Sequence, residues 1–85
     1  KIEFAEKELE QVIKIYDRNN EWIYKLAICK MKLGKFEEAS EFFYTLIERE
    51  YQNDKLYLHV GKCLEKIGDI ETSNHFFEIY KKLIQ

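Results

Sequence analysis

The sequence predicts an all-α chain of about five short helices, arranged as antiparallel helix-turn-helix repeats, and three observations predict it. The residues around Gly34 and Gly68 recur at a spacing of 34: Cys29 as Cys63, Ala27 as Gly61, Leu26 as Val60, Ala39 as Ser73, and Phe42-Phe43 as Phe76-Phe77. Apolar residues fall at steps of three and four in every segment between breaks, which is helical periodicity. Breakers are scarce, with no proline and only three glycines in 85 residues. Self-similarity at a fixed period marks stacked units that bury their apolar faces only against neighbours.

The first helix is expected over residues 2 to 17, with Ile2, Ala5, Leu9, Val12, Ile13 and Tyr16 as its apolar stripe. Asn19 and Asn20 break that pattern and offer side-chain oxygens to cap the next helix. A second helix follows from Glu21 to Leu33, using Ile23, Leu26, Ala27 and Met31, and Gly34 supplies the left-handed turn that ends it. The third runs from Phe36 to about Tyr51 through Ala39, Phe43, Leu46 and Ile47, and Gln52-Asn53-Asp54 provides the next break. The fourth spans Lys55 to Ile67 with Tyr57, Val60, Gly61 and Leu64, closed by Gly68-Asp69. The fifth begins at Ile70 and continues through Ser73, Phe77, Tyr80, Leu83 and Ile84. Connections of two to four residues force neighbouring helices to run antiparallel.

Composition narrows the function. An apolar content of 46% with 15% aromatic is that of a packed domain and not of a disordered segment. The net charge of −2, from 14 basic and 16 acidic side chains, lacks the basic excess of a nucleic-acid binder. No apolar run approaches the roughly 18 residues of a membrane-spanning helix. The opening Lys1-Ile2-Glu3-Phe4 is neither a signal peptide nor an initiation site, so a piece of a longer chain is expected. Cys29 and Cys63 occupy equivalent repeat positions, separated by a repeat width of roughly 10 Å, beyond the reach of a disulfide. Two buried thiols fit a reducing compartment, and a cytoplasmic location is the expectation.

The pattern resembles the tetratricopeptide repeat, whose signature is W-x2-L-G-x2-Y followed by A-x3-F and then P. Ile23-x2-Leu26-Ala27-x2-Lys30 with Ala39-x3-Phe43 matches it in one unit, and Tyr57-x2-Val60-Gly61-x2-Leu64 with Ser73-x3-Phe77 in the next. Ile2, Ala5, Leu9 and Val12 stand 34 residues before Phe36, Ala39, Phe43 and Leu46. The resemblance thus covers the whole chain. It divides the chain into the second helix of a truncated repeat at 1–19, a full repeat at 20–53 and another at 54–85, all in one domain. It implies a short right-handed α-solenoid. The departures are Trp22, one residue before the usual bulky slot, Lys30 in place of an aromatic, and Tyr51 in place of the loop proline.

In that family the first helix of each unit lines a concave inner surface. The resemblance therefore places Tyr24, Lys25, Ile28, Met31 and Lys32 from one unit, and Lys55, Leu58, His59, Lys62 and Lys66 from the next, in or beside a groove. Five lysines face only Glu21 and Glu65 there. The face suits a partner peptide or helix with apolar anchors and acidic flanks. The clamp with which some family members grip chaperone tails is not preserved, because Tyr24, Ile28 and His59 fill its slots. The competing expectation is structural: both ends look uncapped, and Phe4, Leu83 and Ile84 would mediate self-association or support of another domain. No catalytic constellation, metal site or cofactor motif is expected. His59 and His75 are 16 residues apart and the glycines are isolated turn residues.

Overall fold

The computed structural model describes residues 1–15 and 19–85. Among these the secondary structure is entirely helical: α1 (Ile2–Ile15), α2 (Asn20–Lys32), α3 (Phe36–Glu48), α4 (Lys55–Ile67) and α5 (Ile70–Ile84). Each helix packs on the next in chain order, α1 on α2, α2 on α3, α3 on α4 and α4 on α5. Tyr16, expected to extend the stripe of α1, lies outside the described residues.

The caps set where these helices start. Asn19 accepts a hydrogen bond from the Trp22 amide and Asp69 one from the Thr72 amide, so in each of α2 and α5 one of the four orphan N-terminal donors finds a side-chain partner. Three helices finish in the same pair of backbone bonds. Gly34 and Lys35 donate back to Met31 and Lys30, Glu50 and Tyr51 to Ile47 and Leu46, and Gly68 and Asp69 to Glu65 and Leu64. This closure needs a left-handed residue, which is Gly34 (φ 79°), Glu50 (φ 57°) or Gly68 (φ 103°). Helix α3 stops at Glu48, before the expected Tyr51, because Glu50 adopts that conformation without a glycine to announce it.

The apolar core lies between α2, α3 and α4. Ala27, Ala39, Phe43, Leu46, Val60 and Cys63 are fully buried in it. The small residues of the 34-residue pattern sit where helices come closest. A Cβ on Gly61 would stand 2.5 Å from the Phe77 ring, and the Ser73 hydroxyl donates to the Gly61 carbonyl at 2.7 Å. Helix α5 thereby seats Phe77 directly on the backbone of α4. Both cysteines are free, Cys63 buried and Cys29 half-buried, and burial pushes the Cys63 thiol up to about 11.

Candidate functional site

The ten residues expected to line a groove fall into two groups. Tyr24, Ile28 and Met31 of α2 are half-buried and packed against the core, and Leu58 and His59 of α4 are half-buried as well. Lys25, Lys32, Lys55, Lys62 and Lys66 are exposed.

Tyr24 and His59 meet. The phenol oxygen and His59 Nε2 share a 3.0 Å hydrogen bond, which ties α2 to α4 across the space between them. The imidazole stacks on Phe43 with centroids 5.2 Å apart, and Tyr24 sets its ring edge toward the same phenylalanine at 6.1 Å. Tyr51 adds a third ring beside Tyr24, again at 6.1 Å, and its hydroxyl donates to Glu21 at 2.6 Å. That carboxylate, with burial behind it, pushes the Tyr51 hydroxyl up to about 12. Burial likewise raises Tyr24 above the usual phenol range. Tyr24 and His59 are therefore a fixed aromatic floor, engaged with the core on one side.

The electrostatics of that floor are positive. Burial, and after it the nearby Lys62 and Lys55 ammonium groups, together hold His59 down to about 4. The imidazole is neutral at neutral pH. Its Nδ1 is buried with no hydrogen-bond partner among the described residues, a cost that burial elsewhere in the core must offset.

The five exposed lysines form no ion pair among the described residues. Lys25 instead sits over the Trp22 ring, 4.9 Å from its centroid. The paired lysines are different ones: Lys30 and Lys35 bind carboxylates of α1 and α3, and Lys81 approaches Glu78 within α5. No protein-family model, curated protein or solved structure matches this chain. What the face does must be read from its own chemistry.

That chemistry is electrostatic and apolar. The described residues hold no group of three or more His, Cys, Asp or Glu side chains able to bind a metal ion. No described helix is long and apolar enough to cross a membrane.

One feature eluded the sequence reading. Lys30 is only 3% exposed, with its ammonium group 2.7 Å from Glu6, 3.1 Å from Glu10 and 3.0 Å from Glu38. Lys35 joins it at 2.9 Å from Glu6. The available signals were a lysine in an aromatic slot and two glutamates, Glu6 and Glu10, one helical turn apart.

Proposed function

We propose that this chain is a tetratricopeptide-like solenoid segment that docks a partner protein through the α2–α4 face. The partner is a peptide or helix whose apolar side chains rest on Ile28, Met31 and Leu58 beside the Tyr24–His59 floor. Its acidic flanks meet Lys25, Lys32, Lys55, Lys62 and Lys66. The observation that carries this reading is the division among the lysines. A chain of net charge −2 holds Lys30 and Lys35 in carboxylate clusters yet leaves nine lysines with no carboxylate partner among the described residues, and five of the nine stand on these two helices. The depressed His59 supports it, since part of that depression comes from Lys62 and Lys55.

Exposed charges of this kind steer and select a partner more than they tighten it. The test is fluorescence anisotropy with labelled peptides that carry two apolar anchors and either acidic or basic flanks. The acidic series binds, weakens as salt rises, and loses roughly tenfold in affinity on Lys62→Glu. Equal binding of both series, or indifference to Lys62→Glu, would sink the reading.

A second reading rests on other side chains. Phe4 is 68% exposed, and Leu83 and Ile84 are 45% and 59% exposed, on the first and last helices. These suit self-association through the ends of the array, which leaves the α2–α4 face free.

A further inference from the structure

Helix α1 is attached differently from the three helices that form the core. Its only fully buried residue is Glu6. Ala5, Leu9, Val12 and Ile13 are half-buried, whereas Ile2, Phe4 and Ile15 are exposed. The buried apolar cluster draws its members from α2, α3 and α4, and of α1 only the half-buried Ile13 packs against it. What α1 inserts into the body is a carboxylate.

That carboxylate meets a prepared site. Glu6 Oε2 lies 2.7 Å from Lys30 Nζ on α2 and 2.9 Å from Lys35 Nζ in the connection to α3. Glu10, one turn along α1, takes Lys30 at 3.1 Å, and Glu38 of α3 takes it at 3.0 Å. Glu6 and Lys30 are both nearly sealed from water, while Glu10, Glu38 and Lys35 are roughly half exposed. Removing one partner of a buried pair leaves an uncompensated charge, which is far costlier than losing an exposed pair. The charged part of the hold on α1 is thus concentrated in Glu6, beside the half-buried apolar contacts of Ala5, Leu9, Val12 and Ile13.

We propose that α1 is an ionic latch: a helix that opens as a unit from the α2–α5 body when Glu6 is protonated. The groups facing Glu6 among the described residues are Lys30 from α2 and Lys35 from the α2–α3 connection. Glu10 on α1 and Glu38 on α3 share Lys30 with it.

The direction with pH follows from both partners. The hydrogen bonds from Lys30 and then Lys35 hold Glu6 below the usual carboxylate value of 4.5. Its contribution is therefore present above that value and is lost as pH falls through the lower folded one. Burial alone would lower Lys30, but Glu6, Glu38 and Glu10 more than offset it and raise it above the usual 10.5. Its contribution is present below 10.5 and lost only in strong alkali. The latch is closed across the neutral range and opens on the acid side.

Native-state amide hydrogen exchange by NMR tests this helix by helix, with protection factors corrected for the intrinsic rate at each pH. Between pH 6 and pH 3, protection in α1 falls by roughly tenfold or more beyond the common decline that His59 imposes on α3 and α4. Glu6→Gln shows the low α1 protection already at pH 6. The double variant Glu6→Leu/Lys30→Leu, with an apolar pair in the same place, gives α1 no acid decline beyond that common one. A loss of protection in α1 no larger than that in α3 and α4, in acid or in Glu6→Gln, would overturn the latch. So would wild-type protection of α1 in Glu6→Gln, or an excess acid fall in α1 that persists in the double variant.

Discussion

His59 carries the clearest consequence at the residue scale. Its imidazole is stacked on Phe43, bonded to Tyr24, and held down to about 4 by burial and then by Lys62 and Lys55. The unfolded chain protonates near the usual 6.5, so between about 6.5 and 4 the unfolded state binds more protons. Stability is fully present above 6.5 and is lost as pH falls through that window. Titration of the ring protons should show His59 neutral at pH 5, and His59→Phe should flatten the decline of Tm between pH 6.5 and 4. A midpoint near 6.5 would mean that the ring is solvated and the aromatic floor is not formed. Half of this was legible. The family resemblance put Tyr24 and His59 in or beside one groove, but it says nothing of depth, so their engagement with Phe43 appeared only in three dimensions. Lys30 was hidden for a related reason: a lysine inside an apolar stripe reads as a departure until its three carboxylates, spread over two other helices, are brought to it.

The helices themselves were legible almost to the residue, because their stops are chemical. Gly34, Gly68, Asn19 and Asp69 each perform a backbone task that their residue type announces. Lys55–Ile67 is where the pattern placed it. The end of α3 was read late because Glu50 performs the glycine task with a side chain attached. A left-handed non-glycine residue costs roughly 1–2 kcal/mol, of which part is recovered because glycine loses more entropy on folding. Glu50→Gly should therefore stabilise the fold by about 1 kcal/mol, raising Tm by roughly 4–8 °C. A thermal melt followed by circular dichroism decides this. An unchanged or lowered Tm would mean that the Glu50 side chain contributes a contact large enough to cancel the backbone gain. The opposite case is Gly61, whose lack of a Cβ is what lets Phe77 lie against α4.

At the scale of the whole molecule, helices that pack in chain order leave two kinds of surface open, one apolar and one charged. The apolar surface lies on α1 and α5, at Phe4, Ile15, Leu83 and Ile84; the charged one lies on α2 and α4. Their responses to salt differ. Apolar contacts do not weaken as ions are added, whereas attraction involving exposed lysines is screened, with a Debye length of about 10 Å at 0.1 M falling to about 3 Å at 1 M. Exposed isoleucines, leucine and phenylalanine at the first and last helices are the liability that polar caps remove in helical arrays. Sedimentation equilibrium over a wide concentration range, at 0.1 M and 1 M salt, should therefore find any self-association undiminished at high salt and abolished by Leu83→Lys. In that outcome the lysine face stays free in the associated form, and partner docking and self-association are compatible. Association that vanishes at high salt and survives Leu83→Lys would instead place a second copy on the α2–α4 face. The chain's own acidic helices, with Glu37, Glu41 and Glu48 exposed on α3, would then be the occupant of the groove.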